Sequence, residues 1–139
     1  MLIIGAGPAG RQVASRLETA GRQVCVIDLS PVNLYSFSQQ GFKTIAGDAS
    51  QIDTLKRARV AEAAIVIVCV SDDSATINIT RSVRDVNRRG ILLVRCRFHA
   101  NIAAIQRAGA DKVVSEQAVA SEALLHILTE NIAMKTASN

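Results

Sequence analysis

The sequence predicts an α/β fold built on a doubly wound, six-stranded parallel sheet with the strand order 3-2-1-4-5-6. Short apolar runs alternate along the whole chain with amphipathic stretches of helical periodicity. The run AIVIVCV, residues 64–70, is apolar on both faces, as a central parallel strand requires. Helices that connect parallel strands of one sheet cross over with a right hand and cover both of its faces, which favours the doubly wound arrangement.

Six strands alternate with six helices in this prediction. The expected strands are residues 2–4, 23–28, 43–46, 64–70, 91–95 and 112–114. The expected helices are residues 8–20, 30–41, 50–58, 73–89, 101–108 and 118–135. No linker, internal repeat or low-complexity tract divides these segments, so residues 1–139 are expected to form one domain.

Local signals mark the element boundaries in the first half of the chain. The first helix stops at Gly21, since glycine accepts the backbone conformation that ends a helix. Pro31 suits the first turn of the second helix, which ends at Gly41. Ser50 and Asp53 have the spacing of a capping box, which predicts the start of the third helix.

The second half of the chain follows the same alternation. Helix 73–89 is expected to turn one apolar stripe towards the sheet, formed by Ile79, Val83 and Val86. A second stripe of this helix is basic and is expected to be a solvated face; it comprises Arg81, Arg84 and Arg88. The last helix carries an apolar side that includes Leu124, Ile127 and Leu128, and both core packing and a dimer contact are open explanations.

Composition narrows the class of protein. The 139 residues are 49% apolar, which is typical of a buried sheet and enough for one sizeable core. No apolar run reaches the roughly 18–20 residues that span a bilayer, and no signal peptide begins the chain, so this piece is expected to be soluble. The net charge is +4, but the basic residues are scattered and aromatics are 3%, so nucleic-acid binding is not expected.

Cysteine and histidine give no metal or disulfide signal. Cys25, Cys69 and Cys96 lie within apolar runs and lack CxxC spacing, so they are expected to be reduced core residues. His99 and His126 have no nearby candidate ligands in the sequence. No metal site is therefore predicted.

The stretch MLIIGAGPAG carries the main functional signal. Gly5, Gly7 and Gly10 fit G-x-G-x-x-G, follow a strand and open a helix, and the second strand ends in Asp28, 18 residues after Gly10. In a dinucleotide-binding (Rossmann) fold the three glycines allow the tight turn, the approach of a pyrophosphate and close helix–sheet packing. The candidate ligand contacts in this region are Gly5, Ala6, Gly7, Pro8, Ala9, Gly10, Asp28 and Leu29.

Asp28 indicates which nucleotide is preferred. Its carboxylate can accept hydrogen bonds from both ribose hydroxyls of an adenosine, whereas it repels a 2′-phosphate, and Leu29 supplies no positive partner. NAD(H) or an adenine nucleotide (AMP, ADP or ATP) is therefore expected rather than NADP(H). The alternative is a structural tight turn with an aspartate that merely ends a strand.

Motifs beyond Asp28 follow one branch of dinucleotide-binding folds. They are Gly47-Asp48-Ala49 after the third strand, Asp72-Asp73 and Asn78 after the fourth, Arg95 in the fifth and Glu116 after the sixth. With the glycine motif, this pattern resembles the TrkA-N or RCK N-terminal (KTN) domain of potassium channels, potassium uptake systems and Kef-type efflux transporters. The resemblance extends over essentially all 139 residues. The further ligand contacts that it implies are Gly47, Asp48, Ala49, Val70, Ser71, Asp72, Arg95 and Glu116.

Several of these residues also have structural explanations. Asp48 can accept from the exocyclic amine of adenine or cap a turn, and Asp72 or Asp73 can cap the helix that they open. Asn78 is expected to be a structural or interface residue.

The arginines on either side of Cys96 fit the resemblance, whereas the glycine motif departs from it. Arg95 and Arg97 are similar to an Arg-x-Arg of Kef-type domains that lies near an anion-accepting region linked to glutathione, and surface ion pairs are the alternative. Acidic residues form a calcium site on this strand in some relatives, so the arginines disfavour one here. Pro8 departs from the family pattern, in which an arginine often lies within the glycine motif.

The resemblance implies a regulatory function. No catalytic residue is predicted, since the chain has no region to hold a substrate and no evident base, so the nucleotide is expected to be sensed rather than consumed. The expected partners are a second copy or a larger RCK-type assembly and a membrane-embedded potassium transporter or channel, at the cytoplasmic side of the membrane. The chain is then part of a longer protein or complex. The nucleotide-binding half of an NAD-dependent oxidoreductase and a structural module with a decayed site are the alternatives.

Overall fold

A computed structural model describes residues 1–138 and contains one six-stranded sheet in which every neighbouring pair of strands is parallel. The strands are β1 (Leu2–Ile4), β2 (Cys25–Asp28), β3 (Lys43–Ala46), β4 (Ile65–Val68), β5 (Ile91–Cys96) and β6 (Lys112–Ser115). Their order across the sheet is β3-β2-β1-β4-β5-β6. The predicted fold class and strand order are confirmed.

One helix follows each strand, as predicted. The helices are α1 (Pro8–Thr19), α2 (Pro31–Gln39), α3 (Ile52–Arg57), α4 (Asp73–Val86), α5 (Ile102–Ala108) and α6 (Glu116–Ser138). Short 3₁₀ turns at Val60–Glu62 and His99–Asn101 precede β4 and α5. Gly21 and Gly41, the predicted helix stops, both have positive φ angles, of 76° and 91°.

The sheet is covered on both faces, which explains the apolar character of its central strands. One core cluster packs α3, α4 and α5 against the sheet, and its fully buried members include Leu55, Val83 and Ile105. The other packs α1 and α2 against the opposite face through Ala14 and Phe37. Burial on both faces supplies the hydrophobic stabilisation that a single amphipathic strand face would not.

Helix α4 ends three residues earlier than predicted because Asn87 turns the chain. The buried side-chain amide of Asn87 donates to the carbonyl oxygens of Val60 and Ala63, at 2.7 and 2.8 Å. Its oxygen accepts the backbone N–H groups of Arg89 and Gly90. These four bonds satisfy the turn between α4 and β5, so the helix does not continue to residue 89.

The predicted capping box at the start of α3 is wrong. The N-cap is Gln51, and it makes no side-chain capping hydrogen bond. Ser50 instead donates its hydroxyl to the Asp48 carboxylate at 2.7 Å, and the same oxygen accepts the Ser50 amide at 2.9 Å. The short loop after β3 therefore uses Ser50 for its own turn.

The basic stripe on α4 is not uniformly solvated, so the prediction is wrong for Arg84. Its side chain is 21% exposed and forms an ion pair with Asp111 at 2.8 Å. Its guanidinium also donates to the backbone carbonyls of Gly109, Asn87 and Gly90. Arg84 therefore fastens α4 to the turns before β5 and β6.

Helix α6 extends away from the sheet, and core packing does not explain its apolar side. Leu124, Ile127 and Leu128 are 69%, 55% and 55% exposed. The prediction of 118–135 was also too short by several residues at its ends. Within residues 1–138, no helix combines the length and the hydropathy needed to cross a membrane.

The three cysteines lie in the core, as the sequence predicted. Cys25, Cys69 and Cys96 are free and buried. Burial raises the pKa of all three thiols above its ordinary value, and the positive charge of Arg95 only partly offsets this at Cys69. Among the described residues, no group of three His, Cys, Asp or Glu side chains has an arrangement that could hold a metal ion.

Candidate nucleotide-binding site

A cleft of about 340 Å³ opens at the carboxyl ends of the central strands, where the strand order reverses between β1 and β4. Ligands of open α/β sheets bind at such a switch point. Its lining residues are Ile4, Gly5, Ile27, Asp28, Leu29, Gly47, Asp48, Ala49, Ser50, Val70, Ala75, Asn78 and Ile79. A larger hollow of about 610 Å³ lies at the opposite end of the sheet, near Met1 and Gln23, and contains none of the predicted ligand contacts.

The turn between β1 and α1 requires glycine at two of its three motif positions. Gly5 has a φ of 110°, and a Cβ atom there would lie 2.6 Å from the carbonyl oxygen of Cys69. A Cβ atom on Gly10 would overlap the carbonyl oxygen of Gly5 and approach the side chain of Ile3 at 3.5 Å. Gly5 therefore makes the turn possible, and Gly10 lets α1 pack directly against the turn.

Gly7 lies in a different environment from its two neighbours in the motif. It is the N-cap residue of α1, and a Cβ atom built on it would meet no atom within 4 Å. The space beside Gly7 is therefore open, and it lies at the positive end of the helix dipole. This is the geometry that an anion at a helix N-terminus uses.

Asp28 lies at the end of β2 and is hydrogen-bonded to the glycine turn. One carboxylate oxygen accepts the backbone N–H of Ala6 at 2.8 Å. The other accepts the N–H of Ser30 at 2.8 Å and the side-chain amide of Asn33 at 3.3 Å. The half-buried carboxylate also lines the cleft, and its three hydrogen bonds leave about one of roughly four acceptor positions for a ligand.

The loop after β3 forms the wall of the cleft next to Asp28. Ala49 is buried there, and Gly47 packs so closely on Thr54 that a Cβ atom would lie 2.7 Å from its hydroxyl oxygen. One oxygen of Asp48 accepts both hydrogen bonds of Ser50, as a turn residue does. Asp48 lines the cleft as well, so the turn and the adenine contact are compatible.

The two aspartates at the start of α4 have structural partners. Asp72 is the N-cap, and its carboxylate accepts the N–H groups of Ser74 and Ala75. Asp73 accepts the backbone N–H groups of Arg97 and Phe98, at 2.8 and 3.1 Å. The sequence left it open which of the two aspartates caps the helix, and the structure assigns capping to Asp72.

The hydrogen bonds at Asp73 also affect its ionisation. Partial burial favours the neutral carboxyl, but the bonds from the Arg97 amide, the Asn101 side chain and the Phe98 amide outweigh it. With the nearby positive charge of Arg97, they hold the pKa of Asp73 below its ordinary value. The Asp73 carboxylate therefore connects the start of α4 to the segment after β5 by hydrogen bonds.

Arg95 and Glu116 lie outside the cleft lining and contact each other. The Arg95 guanidinium is 2.6 Å from a carboxylate oxygen of Glu116, and it also approaches the carbonyl oxygen of Cys69 at 3.4 Å. Arg97 is exposed, and its guanidinium lies over the ring of Phe98. The ion-pair alternative thus applies to Arg95, and Arg97 has a stacking contact instead.

The cleft unites part of the predicted set of ligand contacts. The predicted residues that line it are Gly5, Asp28, Leu29, Gly47, Asp48, Ala49 and Val70. The predicted residues outside its lining are Ala6, Gly7, Pro8, Ala9, Gly10, Ser71, Asp72, Arg95 and Glu116. Sequence reasoning assigned no ligand contact to Asn78, which lines the cleft one helical turn beyond Ala75. The sequence around Asn78 gave no functional signal, because only the packing of α4 shows which polar residues of this helix face the cleft.

The chemistry of the cleft suits a ribose and a flat base. Apolar side chains of Ile27, Val70 and Ile79 provide contact area, and two carboxylates provide hydrogen-bond acceptors. No lysine, arginine, histidine or cysteine is among its described lining residues. The lining therefore offers specific acceptors for neutral donors such as hydroxyls and amines.

A doubly wound sheet with a glycine turn at its switch point is the architecture of dinucleotide-binding domains. Comparison with known proteins identifies the branch. The family model of the TrkA-N domain matches residues 1–116, so the chain belongs to the TrkA-N domain family. The resemblance inferred from the motifs is confirmed over residues 1–116, and not over the remaining residues to which it was also extended.

Relatives and solved structures agree with this family. The glutathione-regulated potassium-efflux system protein KefC of Cronobacter sakazakii is 27% identical over 109 residues, which are 78% of this chain. The chain spans 18% of the length of that relative. The TrkA-N domain of the inner membrane protein ybaL from Escherichia coli superimposes with a TM-score of 0.87, at 21% identity, over 91% of this chain and 94% of that one.

The GsuK channel is a second structural relative. Its structure bound to NAD matches with a TM-score of 0.74 and 25% identity, over 81% of this chain and 20% of that one. Its structure bound to ADP matches with a TM-score of 0.74 and 26% identity, over 82% of this chain and 30% of that one.

Proposed function

We propose that this chain is a nucleotide-sensing regulatory domain of a potassium transport system and forms one domain of a longer protein or complex. The observation that carries the proposal is the cleft at the switch point, where Asp28 is hydrogen-bonded to the glycine turn and also lines the ligand space. Membership of the TrkA-N family and similarity to KefC and to the GsuK channel support the link to potassium.

NAD(H) or an adenine nucleotide is the ligand that fits the cleft. The adenosine ribose donates to Asp28, the base lies between apolar side chains beside Asp48, and the first phosphate occupies the open space at Gly7. Structures of GsuK bound to NAD and to ADP contain a region of this fold, which supports the same ligand class here.

Regulation follows from a difference in affinity between two arrangements of the assembled protein. A bound nucleotide shifts that equilibrium only by the ratio of its affinities for the two states. Among residues 1–138, those that line the cleft supply carboxylates and an amide but no histidine or lysine to act as a proton relay, which supports sensing rather than hydride-transfer catalysis. The proposed partner is membrane-embedded, and the resemblance to Kef-type transporters and RCK domains supports a position at the cytoplasmic side of the membrane.

A second copy of the chain is the partner that fits α6. Leu124, Leu128 and Ile132 recur every four residues on one side of the helix and are 69%, 55% and 56% exposed. Such a stripe on a 23-residue helix is typical of a helix–helix interface. Sedimentation of the wild type as a dimer and of Leu128→Glu as a monomer is expected. Ala123→Glu, at an exposed residue of the same helix outside the stripe, is the control for the added charge.

Calorimetric titration with NADH, NAD⁺, AMP and ATP tests the proposed ligand. Saturable binding of at least one nucleotide is expected, and Gly7→Ala should weaken it because the added methyl group occupies the open space at the helix N-terminus. Ala64→Gly is the control, since it also changes one methyl group but at an exposed residue just before β4, away from the cleft. If none of the four nucleotides binds at millimolar concentration, the proposed function is wrong.

A further inference from the structure

The ion pair between Arg95 and Glu116 lies beside the glycine turn without being part of the cleft lining. The Arg95 guanidinium contacts the carbonyl oxygen of Cys69, and that oxygen also packs against Gly5. Arg95 is 24% exposed and Glu116 is 48% exposed, so the pair is accessible from solvent. A cation is thus held at the rim of the ligand site by a carboxylate of the protein itself.

The position of Arg95 across the sheet separates it from the adenosine contacts. Asp28 ends β2 and Asp48 follows β3, on one side of β1, whereas Arg95 is on β5, two strands to the other side. Strands are about 4.8 Å apart, so the backbone of β5 lies roughly 10 Å from β1. The Arg95 guanidinium reaches back from β5 over the end of β4, to the carbonyl oxygen of Cys69. A mononucleotide anchored at Asp28 ends near the glycine turn, and only the second half of a dinucleotide extends over β4 towards Arg95.

Glu116 is also the first residue of α6, and the start of this helix holds it to the sheet. The Gln117 amide donates to the carbonyl oxygen of Arg97 at 3.2 Å, and its side-chain oxygen accepts the His99 amide at 3.0 Å. From residue 119 to residue 137 every side chain of α6 is exposed. A change at Glu116 therefore acts at the attachment point of the helix.

We infer that the Arg95–Glu116 ion pair is an internal competitor for the second half of a dinucleotide. NAD(H) draws Arg95 away from Glu116 towards its second phosphate and ribose, whereas AMP leaves the pair intact. The freed Glu116 then loosens the first turn of α6. This inference rests on the proposed function and adds to it a specificity determinant and a route from the ligand to the helix.

The Glu116→Gln variant tests the competition directly. The substitution keeps the size of the side chain and removes the charge that holds Arg95. Because a half-exposed ion pair contributes little, NAD⁺ affinity measured by calorimetry is expected to rise by only about two- to fivefold. AMP affinity is expected to stay unchanged. Glu122→Gln, which makes the same charge change at an exposed position on α6, should leave both affinities unchanged.

Hydrogen exchange provides the second readout. NAD⁺ is expected to speed exchange of the backbone amides at residues 117–119 of the wild type, and AMP is not. Arg95→Gln should abolish this difference between the two ligands and weaken NAD⁺ binding more than AMP binding. Thermal melting monitored by circular dichroism shows whether each variant is folded under the conditions of titration.

The outcomes separate this inference from the proposed function. If none of NADH, NAD⁺, AMP and ATP binds the wild type, both are wrong. If NAD⁺ does not bind but another of the four does, the internal competitor is wrong while nucleotide sensing stands. If NAD⁺ and AMP bind but Glu116→Gln changes neither affinity, or changes both equally, the internal competitor is wrong while nucleotide sensing stands. Exchange at residues 117–119 that responds equally to NAD⁺ and AMP also contradicts the competition.

Discussion

Replacing Asp28 by asparagine separates the two tasks of this side chain, which are to hold the glycine turn and to bind a ribose. The carboxylate accepts N–H groups from Ala6, Ser30 and Asn33, and no donor on the side chain is needed. An asparagine offers one oxygen and one NH₂ group. Because both backbone partners are donors, one of the two 2.8 Å hydrogen bonds must be lost in the variant.

The expected size of the effect follows from these contacts. A hydrogen bond to a charged group contributes about 1.5–3 kcal/mol, so losing one in Asp28→Asn should lower the free energy of unfolding by an amount in that range. A ribose hydroxyl that donates to the carboxylate should lose a similar amount of binding free energy when asparagine makes the acceptor neutral. NAD(H) should therefore bind about 10- to 150-fold more weakly. The difference in affinity between NADH and NADPH should also become smaller, since a neutral asparagine does not repel the 2′-phosphate.

Two measurements distinguish the tasks. Urea denaturation gives the loss of stability, and calorimetry with NADH and NADPH on folded protein gives the two affinities. Asp85→Asn is the matched control, since Asp85 is exposed on α4 and does not line the cleft. A folded Asp28→Asn protein that binds NADH within twofold of wild type would refute the ribose contact, whatever happens to stability.

Three further predictions concern packing and pH. Gly10→Ala should lower the free energy of unfolding by about 1–3 kcal/mol in urea, since its Cβ overlaps the Gly5 carbonyl; a wild-type unfolding curve would contradict this. Arg84→Met should cost about 2–4 kcal/mol in the same assay, because three carbonyls and a carboxylate lose their donor, and an effect below 1 kcal/mol would refute it. The Leu92 amide and Arg84 hold the pKa of Asp111 below its ordinary value of about 3.9. The ionised Asp111 therefore contributes its full share to the free energy of unfolding above that pH, and this share is lost as the pH falls through the lower pKa of the folded state. Asp111→Asn should therefore flatten the dependence of unfolding free energy on pH below about 4, and an unchanged slope would contradict this.

The sequence was sufficient for the strand order because its signals are local and the rules of topology are few. Apolar runs and the glycine stops at Gly21 and Gly41 locate the elements, and right-handed crossovers then leave a small number of sheets. The glycine turn and Asp28 were also predictable, since spacing within one strand–helix–strand unit fixes their proximity.

The errors arose where a residue had a choice of partners. Ser50 had the spacing to cap α3, but the Asp48 carboxylate two residues earlier is a closer acceptor, and the loop uses it. Arg84 had the spacing of a solvated stripe, but its partner Asp111 lies 27 residues away, so only the folded chain brings the two together. Competition between nearby partners and long-range pairing are both invisible to periodicity.

The candidate site was predicted less completely than the fold for the same reason. Arg95 and Glu116 were each assigned to the nucleotide, and their contact with one another depends on β5 and β6 being neighbours in register. Asn78 faces the cleft because of how α4 packs, and the sequence alone gave it a structural role. Side-chain orientation at the edge of a pocket requires tertiary structure.

The three buried thiols have a practical consequence. Thiolate is the form that reacts with electrophiles, and the raised pKa of Cys25, Cys69 and Cys96 keeps them protonated and slow to react. A single cysteine introduced on α6 outside the apolar stripe, for instance by Ala123→Cys, would therefore take up a maleimide dye or spin label in preference to the native three. Distances from the helix to its neighbours become measurable by spectroscopy without first removing any natural cysteine.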